Sequence, residues 1–259
     1  MSEVRLAGGS TCPAGSSRMP LAALHAGPSL IKWSAVARLA DWPKLPAWGL
    51  TSRAAAVPTS QKIYHITHVD NLERVLEEGG LWADSACARQ GISPTNIGYR
   101  HIKARRLARR VPAAAGGTLG DYVPFYFCSR SVMLYVIHRG HDDYSGGQGR
   151  IVHLVSTVET AVALDRKWAF TDRHAELSYA EYFDDLADLA QVDWAAMPLK
   201  YWSNEDETKE KRQAEFLVHD FFPLSAVEQI GVMSADVAAE VRGLVGSSPP
   251  VTVEPEWYY

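Results

Sequence analysis

The sequence predicts an α+β fold on a mixed β-sheet, and three observations carry the prediction. Of the 259 residues, 47% are hydrophobic, enough for one large core. Segments of strand and helix character follow one another neither in regular alternation nor in blocks, which disfavours a doubly wound sheet. There is also no GxGxxG, no P-loop and no internal repeat, so the usual nucleotide-binding folds are poor candidates.

Residues 1–60 are rich in Ala, Gly, Ser and Pro and hold no sustained helix or strand period. They are expected to be a poorly ordered extension, or the product of an upstream start codon with Met19 or a later residue as the true start. Trp33, Trp42 and Trp48 are the side chains there suited to docking. Order is expected over residues 61–259.

Lys62 to Ile66 alternates like a strand, and Thr67 with Asp70 reads as a capping box that opens a helix. Leu72, Val75 and Leu76 form its buried stripe, and Gly79-Gly80 signals its end. A basic helix over "NIGYRHIKARRLARR" is stopped by Pro112. "DYVPFYF" reads as a strand that Pro124 confines to an edge or a bulge, and "SRSVMLYVIHRG" as an apolar helix closed by Gly140. "RIVHLVST" and "KWAFTD" are strand-like. Tyr179 to Leu189 has the spacing of an amphipathic helix, with Tyr182, Phe183, Leu186 and Leu189 inward. Trp194 to Arg212 reads as irregular. The chain closes with strands "AEFLVHDFF" and "IGVMS", a helix "ADVAAEVRGLV", and a tail ending in Trp257, Tyr258 and Tyr259.

No stretch approaches the roughly 18 apolar residues of a membrane span, and Cys12, Cys87 and Cys128 are scattered, without CxxC or zinc spacing. The expectation is a cytoplasmic protein with no membrane association and no metal. The net charge of −4 is unevenly spread: six Lys/Arg and two Asp/Glu lie in residues 1–58, leaving 20 and 28 on the rest. An acidic body is not a general nucleic-acid binder. Between Asp84 and Asp121, however, there is no acidic residue, while Arg89, Arg100, Lys103, Arg105, Arg106, Arg109 and Arg110 form a basic island.

Three segments carry candidate chemistry. Alternation puts Gln213 and Glu215 on one face at the mouth of a strand, where a carboxylate is either a rim group paired with Lys211 or Arg212 or one aimed into a cleft. His65 and Thr67 share a strand face beside an expected helix start, a place suited to nucleotide hydroxyls and phosphates, though a strand-end histidine also fits a core. On the basic helix, Tyr99, Lys103 and Arg106 fall on one side and Arg105 and Arg109 on another.

Taken together these segments resemble the ADP-ribosyltransferases, which split NAD at the nicotinamide ribose. The closer resemblance is to the DarT-type DNA ADP-ribosyltransferase toxins: "YHITHVDNL", "IGYRHIKARR", "DYVPFYFCSRS", "FTDRH" and "KRQAEFLV" are similar to that family's blocks, in its order, over residues 61–259. The resemblance implies a split central sheet flanked by helices, with NAD consumed as co-substrate and a base of single-stranded DNA, thymine in the most similar branch, as acceptor. It makes Glu215 catalytic, holding the ribose 2′-OH while positive charge builds on the sugar, with Arg106 also acting at the acceptor. His65, Ile66, Thr67, Arg74, Trp82, Arg106 and Tyr126 become NAD ligands or neighbours. Lys103, Arg130, Met133, His174, Tyr201, Trp202 and Gln213 become acceptor-recognition residues, with Tyr201 and Trp202 offered for base stacking. The implied partner is a DarG-type macrodomain antitoxin that removes the ADP-ribose. The competing readings are transfer to RNA or protein, and an inactive nucleic-acid-binding module.

Overall fold

The computed structural model describes residues 60–202 and 206–259. The expectations for residues 1–59, including Trp33, Trp42 and Trp48, lie outside the described residues. In chain order the elements are β1 (Lys62–His68), α1 (Leu72–Glu77), β2 (Gly80–Trp82), α2 (Asp84–Gln90), α3 (Arg100–Arg106) and β3 (Tyr122–Tyr126). Then come α4 (Val132–Arg139), β4 (Ile151–Thr157), α5 (Val158–Val162), β5 (Trp168–His174), β6 (Tyr182–Phe183) and α6 (Asp206–Lys211). The chain ends with β7 (Ala214–His219), β8 (Phe221–Pro223), β9 (Gln229–Val232), α7 (Ala235–Val245) and β10 (Val251–Val253).

Eight strands form one sheet in the order β10-β9-β4-β1-β3-β7-β5-β6, and β2 pairs with β8 in a second. Only β10 runs parallel to its neighbour β9, so the fold is the expected mixed α+β architecture. Its sheet is divided at the centre. β1 pairs with β4 from Lys62 opposite Thr157 to His68 opposite Ile151, and β3 pairs with β7 from Tyr122 opposite His219 to Tyr126 opposite Glu215. Between β1 and β3 the register joins only Tyr64 and Tyr126.

Pro124 explains the parting and refines the edge-or-bulge expectation. It sits in the middle of the strand order, but its carbonyl is taken by the His65 ring, Nδ1 to oxygen 2.8 Å. The missing N–H of proline therefore costs no ladder bond where the strands have separated.

The core lies on both faces of the sheet, as strand alternation requires. Ile63, Phe125, Phe170, Phe216 and Val218 pack on one face with Leu72 of α1 and Val241 of α7, while Leu217 joins Tyr122, Leu119, Val111 and Ala175 on the other. A third cluster of Ile66, Ile97, Leu134, Ile137, Ile151 and Tyr258 fixes α4. Ser131 caps α4 by accepting a bond from the Leu134 N–H at 3.1 Å.

Several local expectations are corrected. Thr67 does not cap a helix: it stays in β1, and the His68 ring accepts from the Asp70 N–H to open a 3-10 turn before α1. The basic helix is only Arg100–Arg106. Tyr179 to Leu189 is not a helix, because Tyr182 and Phe183 add an edge strand opposite Thr171 and Phe170 and Asp185 starts a 3-10 turn. Helix and strand periods coincide over such short stretches. "AEFLVHDFF" is broken at Asp220, whose φ of 67° lies in the left-handed region that Asp tolerates, and β8 turns away to the second sheet.

The second sheet is closely packed at Gly80, where a Cβ would lie 2.3 Å from the Phe222 carbonyl oxygen and 2.9 Å from Pro223 Cα. Backbone cannot yield as a side chain tip does. Gly80→Ala is expected to cost about 1–3 kcal/mol, read as a lower urea midpoint at unchanged slope.

Candidate active site

The parting of β1 and β3 opens a cavity whose wall carries His65, Ile66 and Thr67 from β1, Tyr126 from β3 and Glu215 from β7. α4 adds Val132, Met133 and Val136, the side of that helix opposite Leu134 and Ile137. α3 closes it with Lys103 and Arg106, and Tyr99 precedes them. The basic helix is thus divided as its spacing indicates. Arg105 instead pairs with Glu176, and Arg109 donates to the Leu177 carbonyl at 2.7 Å, so the second side holds the segment after β5.

At the centre is a buried ion pair between residues 109 apart in sequence. Arg106 donates from Nη1 to Glu215 Oε1 at 2.9 Å and from Nη2 to Oε2 at 2.8 Å, with side chains only 14% and 2% exposed. This fork geometry is the strong form of a charge-assisted pair. The Glu215 alternatives resolve accordingly: the carboxylate is inside the cavity and its partner is neither Lys211 nor Arg212.

The backbone holds Glu215 in place as well. β5 and β7 lose register between Phe170 and His174, and in that irregularity the Glu215 N–H donates to Thr171 Oγ1 at 3.0 Å while the Ala175 N–H donates to Glu215 Oε1 at 3.3 Å. Burial alone pushes the Glu215 carboxyl pKa up. The Arg106 guanidinium, helped by His174 and the Ala175 N–H, outweighs it and brings the pKa below the ordinary glutamate value. Arg106 is held the other way: burial disfavours its charge, but Glu215 raises its pKa above the ordinary arginine value. Burial lowers His65 and His174 and raises Tyr126, the last with help from Glu215.

The other candidates fall into two groups. His174, Gln213, Arg74 and Trp82 line the cavity, Arg74 at an exposed edge beside Glu77 and Glu78. Lys103 reaches Asp84 at 2.8 Å, and the Thr67 hydroxyl accepts from Asn71. Arg130 and Trp202 are not on the wall. The Arg130 guanidinium lies over the Tyr259 ring, 4.4 Å from its centre. Trp202 is buried against Tyr135 and Arg212, which corrects its assignment as a base-stacking surface. Tyr201, 94% exposed, remains free for that contact.

Sequence reasoning missed Asn71, which is buried and bridges Thr67 to Thr95, and His141, whose Nε2 meets the Ile97 carbonyl at 3.1 Å. It also missed the Ala175 N–H. No local period marks any of them. Trp82 Nε1 and His141 Nδ1 are buried without a partner among the described residues, and both side chains line the cavity.

Residues 64–259 match the family model for DarT, the single-stranded-DNA thymidine ADP-ribosyltransferase. The chain belongs to the DarT family. Among its relatives, a DNA ADP-ribosyl transferase of Thermus sp. (strain 2.9) is 44% identical over 207 residues, covering 78% of this chain and 98% of that one. Thermus sp. 2.9 DarT solved in complex with ADP-ribosylated single-stranded DNA matches with a TM-score of 0.74 and 43% identity, over 79% of this chain and 99% of that one. The same DarT in complex with NAD+ gives 0.71 and 41%, over 79% and 100%. A more distant DarT relative, 24% identical over 205 residues, is a DNA ADP-ribosyl transferase-DNA ADP-ribosyl glycohydrolase fusion protein of Thermosipho africanus; the match covers 78% of this chain and 50% of that one.

Proposed function

We propose that Glu215, fixed by Arg106 on the wall of the split-sheet cavity, is the carboxylate with which this DarT-family enzyme transfers ADP-ribose from NAD to a thymine base of single-stranded DNA. The observation that carries the proposal is the bonding state of Glu215. Among the described residues, Oε1 already accepts from Arg106 and from the Ala175 N–H, whereas Oε2 accepts from Arg106 alone. A carboxylate oxygen has two lone pairs, so Oε2 can accept a bond from the ribose 2′-OH without breaking the pair. A full negative charge is thereby held where positive charge develops on the sugar as nicotinamide leaves.

The cavity fits the dinucleotide on its own chemistry. The unpartnered Trp82 Nε1 supplies a donor, and His141, whose Nε2 carries the proton toward the Ile97 carbonyl, supplies an acceptor at Nδ1 in its neutral form. His65 likewise uses Nδ1 on Pro124, which leaves Nε2 for a hydroxyl or amide of the substrate. Tyr126, Ile66 and Thr67 complete this half, with Arg74 at its edge. Lys103, Met133, His174, Gln213 and Tyr201 are the acceptor-side residues of the proposal, and Arg130 acts from behind the wall. Arg106, held protonated by Glu215, polarises the base and does not take its proton.

Single-stranded DNA already exposes its bases, so little unstacking is needed. Adducts on template thymines would block replication, which fits a toxin. The fusion relative supports a partner with the opposing glycohydrolase activity, proposed as a DarG-type macrodomain antitoxin. The proposed place of action is the cytoplasm; no helix among the described residues is long and apolar enough to cross a membrane.

Incubation with NAD and thymine-containing oligonucleotides is expected to give products heavier by one ADP-ribose, with release of nicotinamide, and intact mass measurement checks it. Label appearing only on RNA or protein would reassign the acceptor. DNA binding indifferent to NAD, without nicotinamide release, would leave a binding module.

A further inference from the structure

Arg212 is 1% exposed, and its hydrogen-bond partners among the described residues are three backbone carbonyls and the Cys128 sulfur. Nη1 donates to the carbonyls of Ala196 at 2.6 Å and Met197 at 2.5 Å, and Nη2 donates to the carbonyl of Arg130 at 2.8 Å. The guanidinium carbon stands 5.6 Å from the centre of the Trp202 ring, and Cys128 Sγ lies 3.7 Å from Nη2.

A guanidinium cannot shed its charge to lower the cost of burial, so its enclosure calls for a reason beyond filling space. Its acceptors belong to two separate segments. Ala196 and Met197 lead into the limb that carries the exposed Tyr201, and Arg130 lies in the turn before α4, whose Met133 lines the cavity. Arg212 itself stands immediately before Gln213 and three positions before Glu215, at the entry of β7. Only a planar fork with donors on two nitrogens spans both segments; an ammonium concentrates its donors on one atom.

We infer that Arg212 is a positioning residue for the acceptor: it clamps the limb of residues 196–202 and the turn before α4 to the strand that carries Glu215. This rests on the proposed reading of Tyr201 and Met133 as acceptor-side residues. The clamp holds one substrate's contacts at a set offset from the group that acts on the other, so loosening it changes acceptor use before it changes NAD binding.

The test compares wild type with Arg212→Lys by initial rates over a series of thymine-containing oligonucleotides, thermal unfolding with and without NAD, and amide hydrogen exchange. The expected result is a KM for the preferred oligonucleotide raised about 10-fold or more, with kcat changed less than about 3-fold. Preference among flanking sequences should shrink, the thermal shift given by NAD should persist, and exchange should accelerate at residues 196–202 and 128–131. If Arg212→Lys does not fold, Trp202→Leu, which keeps the three carbonyl bonds and removes the ring, is expected to give the same KM-weighted loss at smaller size. An unchanged oligonucleotide KM, or loss of the NAD thermal shift in proportion to lost transfer, overturns the inference. Wild-type protein that is stabilised by NAD yet labels no oligonucleotide overturns the acceptor reading itself, and hydrogen exchange then decides separately whether Arg212 holds the limb.

Discussion

Replacing Glu215 with glutamine is expected to lower ADP-ribose transfer by about 10³-fold while changing NAD affinity far less. The side chain keeps its shape and one acceptor oxygen, so ground-state contacts to ribose largely survive. The lost element is the charge, which matters most when the sugar becomes cationic. The amide NH₂ also turns a donor toward the donors of Arg106, which now bonds Glu215 through both nitrogens, so the fixed orientation of the group is lost with its charge. Single-turnover rates on an oligonucleotide, set beside NAD titration by thermal shift, separate the two effects. A fall in NAD affinity as large as the fall in rate would mean that Glu215 contributes uniform binding and not transition-state stabilisation.

Arg106→Ala is expected to be the second large effect, on both activity and stability. It leaves a carboxylate that is only 2% exposed without its counter-charge, and breaking a buried pair in this way costs about 3–5 kcal/mol. The pH dependence should change sign. In wild type the Glu215 pKa is depressed, so its contribution to stability is present above the unfolded glutamate value, about 4.3, and is lost as pH falls through the folded value. Without Arg106 burial dominates and the folded pKa rises above the unfolded one. The carboxyl then favours the folded state when protonated, and that advantage fades as pH rises through the new folded value. Unfolding temperatures of the two proteins from about pH 2 to about pH 8, which covers both sides of the unfolded glutamate value, check this. A variant whose stability is level above the unfolded glutamate value and falls only as pH drops below it, as in wild type, would show that Glu215 is not governed by Arg106.

Much of the site was legible along the chain. Strand alternation put Gln213 and Glu215 on one face, and both line the cavity. Helical spacing separated Lys103 and Arg106 from Arg105 and Arg109, and the two sets meet different partners. The expectations that failed were those for short amphipathic stretches. Tyr179 to Leu189 has a helix period, but its aromatic pair is claimed by the free edge of β5. Trp202 looked like an exposed ring beside a recognition segment, whereas Arg212, itself read as loop, draws it inside.

The sequence by itself determined which faces are apolar, where the chemistry-bearing side chains project and which family's blocks they follow, because these are local properties of pattern and spacing. Only the tertiary structure decided that Arg106 and Glu215, 109 residues apart, form one buried pair, that β1 and β3 separate at Pro124, and that the Ala175 N–H donates to Oε1 of the carboxylate. A charge's partner and the energy of its burial depend on which surfaces close on it, and that is settled by packing between distant segments, which no local period reports.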